Sequence, residues 1–220
     1  MKENIQIQQK NFDEYVANVN DSRYRKIRKI LTSRKIGELL EIGCCGGEFL
    51  QLAKKTGWKT QGLEISKRAA SKAKKKGLDV KVHDVNNKFP LKDNTFDIIV
   101  AGEVIEHTFD DIGFLNECYR ILKKGGLLII TTPNLISLKN RFLMLFGFNP
   151  RYVLGEYHYR FYTKKVFEGI ISKSKFQKFK FSGNFVIYSK NRDRILGSLF
   201  EKWAELNPSL AEHLIVILEK

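Results

Sequence analysis

Two stretches of this 220-residue sequence have the residue types and spacing to do chemistry. The first is Leu39-Leu40-Glu41-Ile42-Gly43-Cys44-Cys45-Gly46-Gly47-Glu48-Phe49-Leu50, which sets an acid at a strand end, then a glycine-rich turn, then a helix start. Glycine is needed where the backbone takes positive φ or must approach a ligand with no Cβ in the way. The free N–H groups of the helix start beyond it favour a bound carboxylate. Many strand-to-helix turns use glycine, so the meaning of this one comes from the acids that follow. Roughly 20 residues on, Glu64 closes the next strand, the place for an acid that hydrogen-bonds both hydroxyls of a ribose. Asp84 closes the strand after that, where a carboxylate could accept from an adenine amino group. All three acids converge on the carboxyl edge of a parallel sheet, where such folds bind ligands. Charge-assisted bonds of this kind contribute about 1.5–3 kcal/mol each. Strand-end acids also cap helices, but here Ser66 takes that role and leaves Glu64 unexplained by capping.

The second stretch is Glu103-Val104-Ile105-Glu106-His107, directly after an apolar strand. If it turns helically, Glu103, Glu106 and His107 share one face at i, i+3 and i+4. Two carboxylates and an imidazole beside a ligand-binding edge are suited to moving a proton. The blander reading puts Glu103 on the ligand and leaves Glu106 and His107 as polar groups on a cleft wall.

The elements that must position these residues alternate. Tyr24, Ile27, Ile30 and Leu31 recur at helical spacing, so a helical cap over residues 1–35 leads into the core. Ile36–Ile42 reads as a strand, Gly46–Lys55 as a helix stopped by Gly57, and Thr60–Ile65 as a second strand. Ser66 caps a helix that ends at Gly77, Val80–His83 is a third strand, and Phe96–Ala101 has the unbroken apolar run of a buried parallel strand. A helix from about Asp111 to Lys123, stopped by Gly125-Gly126, precedes the strand Leu127–Thr132. Thr163–Ser172 then reads as a helix, and Phe176–Phe181 and His213–Leu218 as strands. This alternation implies a doubly wound parallel sheet with helices on both faces, in a single α/β domain spanning 1–220.

Composition narrows the classes. No apolar run reaches the roughly 18 residues that cross a bilayer, and Met1–Gln6 lacks the apolar stretch of a signal peptide. Three cysteines make neither a disulfide framework nor a zinc spacing, so a reducing cytoplasmic setting is expected. An adjacent Cys44–Cys45 pair could be redox-active, but adjacent cysteines are awkward to bridge and cysteine is often simply a small buried residue. The net charge of +15 admits nucleic acid, an anionic membrane surface or an acidic substrate as partner. Against nucleic acid, the lysine run Lys67–Lys76 reads as a solvated helix face with no interleaved aromatics to stack bases.

Glu41–Gly47, Glu64, Asp84, the strand Phe96–Val100 and the segment Asn116–Leu127 together resemble the class I S-adenosylmethionine-dependent methyltransferases, in particular the small-molecule branch that includes the ubiquinone-biosynthesis O-methyltransferases. The resemblance spans roughly residues 35–180 and implies a Rossmann-like seven-stranded sheet with the last strand antiparallel. It also implies S-adenosylmethionine as cofactor, with Glu41, Gly43, Cys44, Cys45 and Gly47 at its methionine part, Glu64 and Ile65 at the ribose, Asp84 and Val85 at the adenine, and Glu103 beside them. It argues against an NAD dehydrogenase, in which Asp84 and Arg120–Leu127 have no counterpart. One departure is Cys45, where the family usually has glycine; its Cβ is expected to crowd the cofactor or shift the turn. A regulator that binds the cofactor without catalysis follows only if that crowding is severe.

On the same resemblance His107 is a catalytic base at the point where methyl group and acceptor meet. Similar Glu-x-x-Glu-His segments in small-RNA 2′-O-methyltransferases and some ubiquinone-pathway enzymes bind a divalent cation with a further histidine, for which His158 is placed in sequence. Glu103, Glu106, His107 and His158 are therefore candidate ligands of magnesium or manganese, and a metal-dependent RNA 2′-O-methyltransferase is the first alternative to a small-molecule enzyme. Two inserts, 134–160 and 184–208, are expected to form a substrate lid. The first carries Leu138, Phe142 and Leu145 beside Lys139 and Arg141, and the second Ile195, Leu196, Leu199, Phe200, Trp203 and Leu206 at helical spacing. Packing of the two inserts on each other, a dimer surface and peripheral membrane contact are the other readings. Oligomeric state has no signal in the sequence.

Overall fold

The computed structural model describes residue 13 and residues 17–153, 158–184 and 201–220. Its elements are α1 (Ser22–Thr32), β1 (Glu38–Ile42), α2 (Glu48–Lys55), β2 (Lys59–Glu64), α3 (Lys67–Lys75), β3 (Asp79–Val82), β4 (Phe96–Gly102), α4 (Asp111–Ile121), β5 (Leu122–Pro133), α5 (Leu138–Leu145), α6 (Lys164–Ile171), β6 (Lys178–Asn184) and β7 (His213–Glu219). Short 3₁₀ turns stand at Ile105–His107 and Pro208–Leu210.

The strands form one seven-stranded sheet in the order β3-β2-β1-β4-β5-β7-β6. Pairing is parallel from β3 through β5, and β7 runs antiparallel between β5 and β6. The expected doubly wound sheet with an antiparallel last strand is what the chain forms. Its alternating side chains feed two cores. Leu40, Ile42, Ile99 and Ala101 join Phe114, Leu115 and Cys118 of α4 and Phe167 and Ile171 of α6 on one face. Leu39, Ile98 and Val100 join Ile27 and Leu31 of α1, Phe49 and Leu50 of α2, and Ala70 and Ala73 of α3 on the other. Each large apolar side chain buried this way contributes about 1.5–3 kcal/mol, so both layers hold the carboxyl edge of the sheet in place.

Several boundaries differ from the sequence reading, each for a local reason. Gly46 and Gly47 belong to the turn, with Gly47 at φ +80, so α2 starts at Glu48. Strand β3 ends at Val82, leaving His83 and Asp84 beyond it. Helix α4 ends at Ile121 because Leu122 already pairs with Phe96; the register then shifts before Ile98 meets Leu127, with Gly125 at φ +75 in the irregular stretch. Strand β6 begins at Lys178, since the backbone of Phe176 is tied to Ser174 Oγ at 3.2 Å and its ring is buried against Tyr119.

The inserts differ more. In α5 only Asn140 is buried, and Leu138, Phe142 and Leu145, expected to cover an acceptor, face solvent. The second insert's Ile195, Leu196, Leu199 and Phe200 lie outside the described residues; residues 201–206 are helical, with Trp203 half-buried and Leu206 exposed. Of the N-terminal cap, α1 packs as expected through Ile27 and Leu31.

Candidate active site

The glycine-rich turn is fixed before any ligand is considered. Gly43 donates its N–H to Leu63 O at 2.8 Å, which ties the end of β1 to β2. Gly43 sits at φ +70, and a Cβ there would stand 2.6 Å from Val104 Cγ2. Cys45 also takes a left-handed φ, +49, a conformation that costs a non-glycine residue about 1–3 kcal/mol. It is held there because its N–H donates to Glu64 Oε2 at 2.8 Å, while Ser66 N–H donates to Glu64 Oε1 at 2.8 Å. Glu64 is therefore a clamp between two backbone amides, a structural role that the sequence reading had not given it. Burial pushes its carboxyl up, and these N–H donors counter part of the rise. The turn keeps its shape with cysteine at position 45. Burial also pushes the Cys44 and Cys45 thiols up, the opposite of what a redox-active pair needs.

Glu41 is 3% exposed and its Oε2 has no hydrogen-bond partner. Burial first, then the charges of Glu48 and Glu64, push its carboxyl well above the usual range. A buried acid with one unpartnered oxygen, beside two others, fits a cationic ligand with donors to offer, such as a sulfonium carrying an ammonium group. Ile65 is half-buried next to Glu64. His83 N–H donates to Glu64 O at 2.9 Å and so seats the following turn against β2. There Asp84 and Val85 are half-buried, and Asp84 Oδ1 accepts from Asn86 N and Nδ2.

On the other side of β4 the structure separates what the sequence grouped. Glu103 has φ +54 and the 3₁₀ turn starts only at Ile105, so Glu103, Glu106 and His107 do not share a helical face. Glu103 accepts from Thr131 Oγ1 at 2.7 Å, pairs with Arg23 at 3.0 Å and faces His213 Nε2 at 3.8 Å. Burial raises its pKa, but Arg23, His213 and Thr131 outweigh that and hold the carboxyl below its ordinary value. His213 is buried as well; burial pushes its pKa down against the pull of Glu103.

Glu106, His107 and His158 do come together: one potential ligand atom from each lies within 4.8 Å of the others, the one such group that includes any of the four candidate ligands among the described residues. A backbone hydrogen bond and a ring contact bring His158 in. Tyr159 N–H donates to Glu106 O at 2.9 Å, and the His158 ring packs 4.8 Å from that of His107. His158 Nδ1 lies 3.2 Å from Tyr152 O. Glu106 is 1% exposed; Thr132 Oγ1 donates to its Oε2 at 3.1 Å while Oε1 has no partner. Burial, then Glu103, pushes this carboxyl well up. A small pocket opens here, lined by Glu106, Thr132, His158, Tyr152, Arg151 and Arg160 among others. Arg151 pairs with buried Glu212 at 2.6 Å and Arg160 with buried Asp111 at 3.5 Å.

Sequence reasoning missed Arg23, Thr131, Thr132, Tyr152 and His213. None of them sits in a local pattern; they arrive from α1, β5, the first insert and β7.

A parallel sheet wound on both faces, an antiparallel β7 and a glycine turn backed by acids make up an architecture that the chain shares with solved class I S-adenosylmethionine-dependent methyltransferases. Residues 40–130 match the family model described as a methyltransferase domain. Among curated proteins, the chain is 30% identical over 118 residues to a "probable S-adenosylmethionine-dependent methyltransferase" of Mycolicibacterium smegmatis, covering 52% of this chain and 46% of the relative. It is 33% identical over 102 residues to a ubiquinone biosynthesis O-methyltransferase of Caulobacter vibrioides, covering 44% and 40%. The chain thus spans less than half the length of these curated relatives. Among solved structures, a Thermotoga maritima S-adenosylmethionine-dependent methyltransferase, described as a possible histamine N-methyltransferase, superposes with a TM-score of 0.66 at 25% identity over 90% of this chain and 89% of that one.

Proposed function

We propose that this chain is an enzyme that moves a methyl group from S-adenosylmethionine to an oxygen of a small-molecule, sugar or lipid-linked acceptor, with nitrogen the second choice. The observation that carries the reading is the group of buried Glu106 with half-buried His107 and His158, of which Glu106 and His158 line a small pocket on the same sheet edge as the acid-lined turn. The Caulobacter relative, named as an O-methyltransferase, favours oxygen, and the Thermotoga structure, described as a possible histamine N-methyltransferase, keeps nitrogen in view. Three free, buried cysteines are in keeping with a reducing, cytoplasmic setting, and no described helix is long and apolar enough to cross a membrane.

On this reading Glu41, Gly43, Cys44, Cys45 and Gly47 border the methionine part of the cofactor, Glu64 and Ile65 the ribose, and Asp84 and Val85 the adenine. When bound, the cofactor supplies an electrophilic methyl group on a sulfur that keeps the bonding electrons as it leaves. His107 takes the proton of the acceptor hydroxyl, and His158 beside it steadies the imidazolium's position. Glu106 presents its unpartnered Oε1 to the acceptor. Glu103, committed to Arg23 and His213, holds α1 and β7 against the site and takes no part in proton transfer. Holding the nucleophile in line is as much of the task as deprotonating it.

The same three residues suit a magnesium or manganese ion, with Glu103 left out. Such an ion would lower the pKa of the acceptor hydroxyl. Calorimetric titration of magnesium or manganese into the protein, repeated on His158→Ala, tests this without reference to turnover; no heat of binding in the parent would remove the ion. The test of the enzyme itself is release of S-adenosylhomocysteine across a panel of hydroxyl and amine acceptors, lost in His107→Ala. Activity equal to the parent's in that variant would overturn the assignment of the base.

The net charge of +15, together with a candidate cation site, favours one second reading, a metal-dependent RNA 2′-O-methyltransferase. It predicts RNA affinity that falls steeply with salt and methylation of RNA that stops on chelation. A small-molecule enzyme shows neither.

A further inference from the structure

The first insert, beside the proposed acceptor pocket, carries a run of exposed apolar side chains. Leu138, Phe142, Leu145, Phe146 and Phe148 are 45%, 64%, 77%, 60% and 64% exposed, and Met144 is exposed with them. Scattered exposed leucines need no explanation, but a contiguous apolar patch of this kind marks an interaction surface. The patch is not a frayed end. Asn140, on the opposite side of α5, is 1% exposed, donates Nδ2 to the carbonyls of Asn134 and Leu135, and accepts from Arg151 N–H at 2.9 Å. Ser137 caps the helix, and Arg141 Nε donates to Ile136 O at 2.8 Å. Polar bonds thus fix the helix with its apolar side outward.

Charge chooses among occupants. Lys139 and Arg141 are exposed within the same helix, and the sequence from Asn134 to Gly155 contains no aspartate or glutamate in a chain of net charge +15. Aromatic and aliphatic side chains flanked by cations, with no acid between, match an acyl layer under anionic headgroups. A protein partner would have to supply a matching apolar face and acids; an anionic bilayer supplies both everywhere.

We propose that the surface formed by α5 and Phe146–Phe148 docks the chain on an anionic lipid bilayer. Phe142, Leu145, Phe146 and Phe148 enter the acyl boundary, and Lys139 and Arg141 meet the headgroups. The roots of this insert, Leu135, Arg151 and Tyr152, line the acceptor pocket, so docking sets the pocket mouth at the membrane surface. That consequence rests on the methyl-transfer reading; the docking does not.

The test is co-sedimentation of the full chain with vesicles of phosphatidylcholine alone or mixed with phosphatidylglycerol. Binding is expected on the mixed vesicles, weakening as salt rises. The double variant Phe142→Ser/Leu145→Ser should bind about tenfold or more weakly, with unchanged melting temperature and unchanged S-adenosylmethionine binding by calorimetry. Lys139→Glu/Arg141→Glu should reduce binding to the level on neutral vesicles. The proposal is overturned if the parent sediments with neither vesicle, or if the serine variant binds like the parent. It is overturned too if sedimentation velocity shows a dimer that the serine variant dissociates, which makes the patch a self-interface. A lower melting temperature in that variant also counts against it, since the patch would then be covered by the protein's own chain.

Discussion

The proposed cofactor edge and the proposed acceptor pocket share one sheet edge but are built in opposite ways. At the cofactor edge, Gly43, Cys45, Glu64 and Ser66 lie within two consecutive strand-to-helix turns, and backbone N–H groups satisfy Glu64. The pocket draws Glu106 from the 3₁₀ turn after β4, Thr132 from the end of β5, His158 and Tyr152 from the insert, and places beside them a Glu103 held by Arg23 of α1 and His213 of β7. A ligand common to all members of a fold can be held by local turns, whereas an acceptor that varies is held by what the inserts bring. The two halves should therefore fail differently when altered.

The largest effect is expected from His107→Ala: a fall in kcat of roughly 10²–10⁴ with cofactor affinity unchanged. An equal loss of cofactor affinity would erase the distinction between the halves.

Glu64→Ala should do the reverse and more. It removes an acceptor from two buried backbone N–H groups, each worth about 1–3 kcal/mol when left unsatisfied. Both stability and cofactor affinity should drop, the latter by about ten- to a hundredfold, as read by denaturant unfolding and calorimetry.

Next in size is a pH effect at Glu41. Its carboxyl is raised in the folded protein, so the folded state binds the proton more tightly than the unfolded chain. Its favourable contribution to stability is complete below the ordinary carboxylate pKa and is lost as pH rises toward the folded value. Glu41→Gln should accordingly gain stability relative to the parent as pH rises through that window, by at most about 1.4 kcal/mol per pH unit, while binding the cofactor more weakly. A difference independent of pH would show that Glu41 is not held protonated.

The smallest effect is expected from Cys45→Gly. Relief of the left-handed φ should stabilise the protein by about 1 kcal/mol, roughly 2–4 °C in melting temperature. A loss of stability would mean that the buried thiol packs better than the strain costs.

The same contrast explains what the sequence disclosed. Strand periodicity and the Ser66 cap are local signals, so the sheet was legible from them, while the antiparallel β7 was expected from the family resemblance alone. Glu103 was misgrouped because a helical spacing was assumed across a residue that takes φ +54. Arg23 and His213 gave no signal, since their value arises only when α1 and β7 close on Glu103. Glu64 was read as free for a ligand because its clamp depends on backbone amides, which every residue but proline has. The apolar face of α5 was expected to lie over an acceptor; periodicity alone cannot tell a face that packs from one that stands in solvent.

The central claim is that S-adenosylmethionine binds at the acid-lined edge formed by Glu41, Glu64 and Asp84. Asp84 tests it best, because it is half-buried and lies outside the clamp, so its loss should leave the fold intact. Calorimetric titration of S-adenosylmethionine should show one site per chain in the parent and about tenfold weaker binding in Asp84→Ala, with melting temperature unchanged. Binding of equal strength in the two proteins would contradict the assignment of this edge.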